Sequence, residues 1–296
     1  MKFHDLFIRF SLAFAVTLAV SPSNAFANSA VGHPRVRFSQ IPTRIGDRVQ
    51  QQVAVEINLK TVISQSGQTA HESEDKMVRR QKRAIEVTQV DGEKFKAARV
   101  SFPLSRMVVP GETSPSLDDP QPVEGKSYLF SRVGEKTTIT DLKGEMPPLE
   151  EYKIVADSLK TLGKPNLLAK HLLEKQPQVG QRLLVPRKVA KSLFGMNDDM
   201  GGIKRFELTL REVQPSAKNQ SPLAIFDAKI ETMPNETSPM QMVVAGQVAI
   251  EIETCRILSA ELSGPIGMST TQPTEGGILH YGISGQLRMA TQADYR

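Results

Sequence analysis

Two residues match a pattern that is typical of nucleophilic catalysis. Ser73 and Lys76 stand at S-x-x-K spacing, in which a lysine activates a serine. No K-T-G follows, and we predict a charged turn here rather than a helix start, so we interpret the match as coincidence. The sequence contains no G-x-S-x-G, H-E-x-x-H, P-loop or G-x-G-x-x-G motif. It predicts no catalytic residues and favours a protein that is not an enzyme, although catalytic residues from distant strands leave no local motif.

Histidines and carboxylates offer two weak candidates for a metal site. His71 lies beside Glu72, Glu74 and Asp75, which could hold a cation, but a solvated hairpin tip explains these residues better. Residues 197–199, Asn-Asp-Asp, precede two glycines, yet a calcium loop needs more oxygen ligands at fixed positions. The other histidines after residue 27 are scattered: His33, His171 and His280. We predict no metal ligands and no cofactor-binding residues.

Cys255 is the only cysteine of the chain, so an intramolecular disulfide cannot form. It follows the apolar alternation of residues 250–254, at a turn that we predict between two strands. One interpretation is a reactive or dimer-forming thiol. The interpretation that we favour is a small residue on the turn.

The densest run of basic residues is Lys76–Arg83. On a strand, Arg79 and Arg83 lie on one face, and Arg80 and Lys82 lie on the other. Positive charge on both faces predicts an exposed or edge strand, where charge discourages aggregation between sheets. The alternative is docking to an anionic surface of the cell envelope, such as lipid headgroups or a cell-wall polymer.

Alternation of apolar and polar residues predicts long antiparallel strands. Residues 53–59 show it best, and Asp91-Gly92 is a hairpin signal. We predict strands at 53–63, 75–89, 95–102, 127–133, 136–141, 203–213, 223–231, 242–253, 256–262 and 279–290. Gly264-Pro265 predicts a turn. The predicted fold is α+β and mostly antiparallel β, with long-stranded meander sheets that form a sandwich or an open barrel-like structure with a central helical segment.

The central segment has apolar residues at helical spacing. Pro147-Pro148 introduce a helix at 149–162, Pro165 opens a second that reaches 175, and a third covers 186–194. We therefore divide the chain into a signal peptide (1–27), an N-terminal β region (28–146), a helical connector (147–196) and a C-terminal β region (197–296).

The first 27 residues have the parts of a cleavable secretory signal peptide. Lys2 and Arg9 are basic, Phe10–Val20 is an apolar run, and Ala25-Phe26-Ala27 gives the small-x-small cleavage pattern. The run is shorter than the roughly 20 residues of a transmembrane helix. We therefore predict an exported protein, periplasmic or secreted, without a transmembrane segment after cleavage. Cleavage removes two basic residues and one acidic residue, so the net charge falls from +5 to +4, a mild charge that does not suggest nucleic-acid binding.

Two stretches of the C-terminal half carry a resemblance to known proteins. Leu172–Gln181 ends a helix in a turn with proline and glycine, and Gly246–Gly264 contains a strand pair joined at Thr254-Cys255-Arg256. Mainly over residues 172–296, the chain resembles a loose group of exported bacterial β-rich proteins with no assigned activity. In that group a Thr-Gly-Arg-like turn joins the late strand pair, and Cys255 stands in the place of that glycine. The resemblance implies a β-rich fold and an exported setting.

Two hypotheses of function follow. The first is a non-enzymatic structural or interaction module of the cell envelope or secretome, because the chain combines an export signal with amphipathic strands and lacks catalytic motifs. The alternative is a carrier of an apolar ligand such as a lipid, in a β-sheet cavity lidded by the central helices. A carrier is expected to show an apolar cavity of roughly several hundred Å³, and a structural module a filled core. The predicted partner is accordingly an anionic envelope surface or an apolar ligand.

Overall fold

The computed structural model describes residues 35–65, 67–92, 94–108, 117, 119–194, 202–215, 221–234, 239–274 and 277–296. The predicted signal peptide, residues 1–27, lies outside the described residues.

The described residues contain two groups of strands on either side of three helices. The first strands are β1 (Arg48–Gln65), β2 (Gln68–Asp91), β3 (Lys94–Val108), β4 (Ser127–Val133) and β5 (Lys136–Thr140). The helices are α1 (Leu149–Ser158), α2 (Leu167–Lys175) and α3 (Arg187–Phe194), with the short strand β6 (Arg182–Leu184) between α2 and α3. The last strands are β7 (Gly202–Gln214), β8 (Leu223–Met233), β9 (Met240–Glu251), β10 (Ile257–Thr274) and β11 (Gly277–Tyr295).

All of these strands belong to one antiparallel sheet. Its order is β5-β4-β3-β2-β1-β11-β10-β9-β8-β7-β6, so β5 and β6 stand at opposite edges and the sheet is open. The chain runs outward from β1 to β5, crosses through the helices to β6, and returns to β11. There β11 pairs with β1 from Val49↔Tyr295 to Gln65↔Leu279. The predicted class, mostly antiparallel β with a central helical segment, is confirmed, and the sheet is single and open.

Three local predictions are wrong. Ser73–Lys76 do not form a turn but lie within β2, opposite residues 58–61 of β1. Gly264-Pro265 also lie within a strand, β10, where Pro265 pairs with Gln286. The basic run is not an edge strand, because Arg79 pairs with β1 on one side and with β3 on the other.

The helices cover one face of the sheet, and its apolar residues form two clusters there. Cluster 1 joins α2 and α3 to β1, β2 and β7–β11, and it includes Ile57, Leu172 and Phe226, which have no exposed surface. Cluster 2 joins α1 and the turn after it to β1–β5 and β11, and it includes Phe102 and Val155. Burial of these side chains supplies the main drive for the helices to lie against the sheet.

Three glycines on the helix-facing side permit a very close approach between neighbouring strands. A Cβ at Gly246 would collide with the carbonyl oxygen of Glu261, and a Cβ at Gly264 with that of Val243. Gly285 stands in the same relation to Asn58 of β1. Glycine within a strand is typical of such close approaches and of the sharp bends at which a sheet coils.

A buried carboxylate attaches the first turn of α1 to the sheet. Glu151 accepts a hydrogen bond from Nζ of Lys126 at 2.7 Å and one from the hydroxyl of Tyr128 at 2.6 Å. Burial raises the pKa of Glu151, but these two hydrogen bonds lower it by more, so the pKa lies below its usual value. The ionised carboxylate therefore ties α1 to β4 and to the segment before it.

The turn between β9 and β10 contains Cys255, as predicted. Cys255 has a φ of 54°, in the left-handed region that favours glycine. Its side chain is buried, and burial raises the pKa of the thiol to about 12. The thiol is therefore protonated at neutral pH.

Candidate functional site

Polar side chains separate the two apolar clusters on the helix-facing side. On β1, β2 and β11 in turn, they stand between the last residue of one cluster and the first residue of the other. These residues, with partners on β3 and α1, form what we call the polar seam: Gln51, Arg79, Gln81, Arg83, Ser105, Ser158 and Thr291. Buried polar groups are costly unless they are hydrogen-bonded, so the contacts within the seam decide whether it is stable.

Arg83 is the buried cation of the seam, with 5% of its surface exposed. Its Nε donates to the side-chain oxygen of Gln51 at 2.6 Å, and a terminal nitrogen donates to the carbonyl oxygen of Ser158. Ser158 is the last residue of α1, where the carbonyl groups form the negative end of the helix dipole. A cation from the sheet is thus held against the C-terminal end of a helix.

Arg79 reaches the same residue of α1. Its terminal nitrogen donates to Oγ of Ser158 at 3.1 Å, and the hydroxyl of Ser158 donates to Gln81 at 3.2 Å. Gln81 in turn donates to Oγ of Ser105 at 3.1 Å. Two guanidinium groups therefore converge on one serine at the end of α1.

The positive charges of Arg79 and Arg83 repel each other. The pKa of Arg83 is lowered to about 9, mainly by burial and in part by the neighbouring charge of Arg79, against a smaller opposite effect of Tyr295. Burial also lowers the pKa of Arg79, and the carboxylate of Asp157 opposes that shift. Arg83 stays protonated at neutral pH, so the pair can attract an anion but does not exchange a proton there.

The alternation of β2 correctly predicts which face of the strand carries these arginines, but it does not predict that they are buried. Arg79, Gln81 and Arg83 share their face of β2 with Ile85 and Val87, which are buried in cluster 2. That shared period of two was the signal that could have found the seam. It was outweighed by the general rule that arginine is exposed.

Cluster 1 contains buried methionines from four strands. Five of the 11 methionines of the chain are buried members of this cluster: Met77, Met240, Met242, Met268 and Met289. Met240 and Met268 lie directly opposite each other on β9 and β10. Because methionine is unbranched and polarizable, such a surface adapts its shape to different apolar partners.

The opposite face of the sheet carries a shallow cavity of about 500 Å³. Its lining combines charged residues, among them Arg80 and Glu261, with apolar and small residues such as Val78 and Ala54. Arg80 and Lys82 of the basic run lie on this side and are exposed. Between the helices and the sheet, by contrast, the side chains are closely packed, as the fully buried members of cluster 1 show.

The structure does not bring the predicted histidines together. His71 on β2 and His280 on β11 are exposed and lie on either side of β1, whereas His171 is buried on α2. His33 and the Asn-Asp-Asp sequence at 197–199 lie outside the described residues. In the part of the chain that the structure describes, no group of three or more histidine, cysteine, aspartate or glutamate side chains could hold a metal ion.

His171 gives a prediction for the pH dependence of stability. Its Nε2 is buried without a hydrogen-bond partner among the described residues. Burial lowers the pKa of His171, the charge of Lys175 lowers it further, and that of Glu174 opposes the shift. The unfolded chain therefore takes up a proton below about pH 6.5 that the folded protein resists, so stability falls as the pH drops through that value.

The measurement is the free energy of unfolding at about pH 7.5 and about pH 5.5. We expect His171→Leu to lose less stability between the two than the parent protein, and His280→Leu, an exposed control, to lose the same amount. An equal loss in the parent protein and in His171→Leu would contradict the assignment.

Across the residues described here, no helix has the length and apolar character that crossing a membrane requires.

No family model matches the chain, and no curated protein matches it. Among solved structures, it is similar to one described as lipid–protein interactions in lipovitellin, with 11% identity over 83% of this chain and a TM-score of 0.36. The match covers only 25% of that chain. It is also similar to the LolA superfamily protein NE2245 from Nitrosomonas europaea, at 10% identity over 87% of this chain and 88% of that chain, with a TM-score of 0.15. A third is the outer membrane protein OprG from Pseudomonas aeruginosa, at 6% identity over 87% and 97%, with a TM-score of 0.12. None of these TM-scores reaches 0.5, so the likenesses establish neither fold nor function.

Proposed function

We propose that this protein is an exported carrier that binds an apolar ligand, such as a lipid, on the helix-facing side of its sheet. The observation that carries the proposal is the presence in cluster 1 of five buried methionines, Met77, Met240, Met242, Met268 and Met289, of which Met240 and Met268 pair directly across β9 and β10. A cluster that served only to hold the fold together gains from branched side chains with well-defined rotamers. Methionine is instead typical of apolar surfaces that must accept partners of different shape.

The cover of this surface is suited to movement. The helices are short, with 10, 9 and 8 residues, and they belong to a connector that joins the two edges of the sheet. Cluster 1 is covered by α2 and α3, whereas α1, which polar contacts hold at both ends through Glu151 and Ser158, covers cluster 2. The interior is closely packed, which is the state expected of a structural module and not the open apolar cavity expected of a carrier. The proposal therefore requires that α2 or α3 moves aside and that the methionines take new rotamers when a ligand enters.

The test is native mass spectrometry of the protein purified gently from an exporting host, followed by solvent extraction. We expect additional mass that extracts as lipid or as another apolar molecule. The double variant Met240→Gln with Met268→Gln is expected to lose this mass, because an amide disfavours an apolar ligand. Met233→Gln is the matched control, since Met233 is 39% exposed. If the double variant is folded and retains the ligand in full, the methionine surface is not the binding site.

A second candidate function, the interaction module, is supported by a different feature. Leu142, Met146 and Leu149 are 56%, 80% and 67% exposed just before and at the start of α1. The turn that presents them is ordered by Asp141, whose carboxylate accepts hydrogen bonds from the backbone of Lys143 and Glu145. Exposed apolar patches are typical of interaction sites. A native mass spectrum that shows the polypeptide alone, with no extractable ligand, would favour this function over the carrier.

A further inference from the structure

We infer that Arg79 and Arg83 bind the anionic head of an amphiphile, a carboxylate or phosphate group attached to an apolar chain. This rests on the proposed carrier function and names the class of its ligand. The geometry is that of a converging cationic site, because both guanidinium groups reach Ser158 at the end of α1.

The first argument is that Arg83 carries donors beyond those in use. A guanidinium group has five N–H donors in a planar fork that matches a carboxylate or a phosphate. Among the described residues, its hydrogen bonds go to two neutral acceptors, the amide of Gln51 and the carbonyl of Ser158. A bidentate anion would satisfy the fork better than these two neutral oxygens.

The second argument is the charge balance. Two buried or half-buried cations face the end of α1, and the carboxylate that acts on them from this helix, Asp157, acts on Arg79. A buried charge without full compensation is costly. The negative end of the α1 dipole offsets part of that cost, and it occupies the place that a ligand anion would take when α1 moves aside.

The third argument is the position of the pair on the sheet. Met77 of cluster 1 precedes Arg79 by two residues on the same face of β2, and Ile85 of cluster 2 follows Arg83 by two. A head group bound between the arginines therefore leaves its chain in direct reach of an apolar cluster. The two clusters are equally near along β2, and Met77 is the more flexible of the two apolar neighbours of the pair.

The experiment is isothermal titration calorimetry of the mature protein with three ligands that share one alkyl chain. Tridecanoate and dodecyl phosphate carry the anionic heads, and dodecyl maltoside carries a neutral head. All are used below their micelle-forming concentrations. At neutral pH we expect both anionic ligands to bind at least about tenfold more tightly than the maltoside, as hydrogen bonds to a charged group imply.

Variants of Arg79 and Arg83 test whether these two residues cause the preference for anionic ligands. In Arg83→Met and in Arg79→Gln, the anionic ligands are expected to bind no more tightly than the maltoside binds to the same variant. Arg80→Met is the matched control, because Arg80 is the neighbouring cation on the opposite face; it is expected to keep the preference. Arg83→Lys keeps the charge but not the planar fork, so it is expected to keep part of the preference for anionic ligands. If Arg83→Met does not fold, Arg83→Lys and Arg79→Gln together test the inference.

The possible failures are distinguishable. If all three ligands bind equally, or if the arginine variants keep the preference, the inference is wrong and the carrier function stands. If acetate and inorganic phosphate bind as tightly as the amphiphiles, the pair is a site for small anions and the inference is also wrong. If none of the three alkyl ligands binds, the carrier function itself fails.

Discussion

Replacement of Gly264 by alanine is expected to lower the free energy of unfolding by about 3 kcal/mol or more. Gly264 lies in the middle of β10, and a Cβ there would collide with the carbonyl oxygen of Val243 on the neighbouring strand. The obstacle is backbone, so no side-chain rotation can relieve it. The strands must separate or straighten, and either change removes hydrogen bonds and loosens cluster 1.

Gly267 provides a control on the same strand. The nearest atom to a Cβ at Gly267 is the carbonyl oxygen of Ile283 at 3.5 Å, an ordinary contact. Alanine there is expected to change stability by less than about 1 kcal/mol. Both variants are compared by chemical denaturation monitored by circular dichroism. Equal effects at the two positions would show that the close approach at Gly264 does not require glycine.

The sequence was sufficient for the elements of this fold but not for their arrangement. Residues 127–133 alternate between turn signals, and β4 occupies that range. The pairing that unites the sheet joins Val49 to Tyr295, and nothing in the local alternation of either strand specifies that partner. Alternation defines the face of a residue, whereas partners depend on the whole set of strands.

Gly264-Pro265 shows how a sound local rule can fail. A Gly-Pro pair usually marks a turn because proline lacks an N–H for the ladder. Here the register between β9 and β10 passes from Ser263↔Ala245 to Ile266↔Met242, and no pair falls on these two residues. The ladder to β9 therefore does not need the missing N–H, and the strand continues.

The candidate site could not be predicted from the sequence for a related reason. Arg83 binds residues that are 32 and 75 positions away in the sequence, Gln51 of β1 and Ser158 of α1. The face of Arg83 could be read from β2 alone, but its burial depends on α1 crossing above it. The methionines of cluster 1 likewise come from β2, β9, β10 and β11 and belong to one cluster only after the sheet has assembled.

A second large loss of stability is expected when a phenylalanine at the centre of either cluster is replaced by alanine. Phe226 of cluster 1 and Phe102 of cluster 2 have no exposed surface. Each leaves a cavity when replaced by alanine, so we expect Phe226→Ala and Phe102→Ala each to lower the free energy of unfolding by about 3–5 kcal/mol. The exposed apolar residues Val243 and Leu129 are the controls, one on each side of the β1–β11 pairing, and alanine there is expected to cost less than about 1 kcal/mol.

These two variants also test whether the N-terminal and C-terminal β regions unfold together. The long β1–β11 ladder and the polar seam join the clusters, so separation of one half would expose the edge of β1 and the buried Arg83. We therefore expect one calorimetric transition, with equal calorimetric and van't Hoff enthalpies, in the parent protein and in both variants. Each substitution then moves that single transition to lower temperature. If Phe102→Ala instead moves one of two transitions and leaves the other at its original temperature, the halves are independent, and neither the ladder nor the seam couples them.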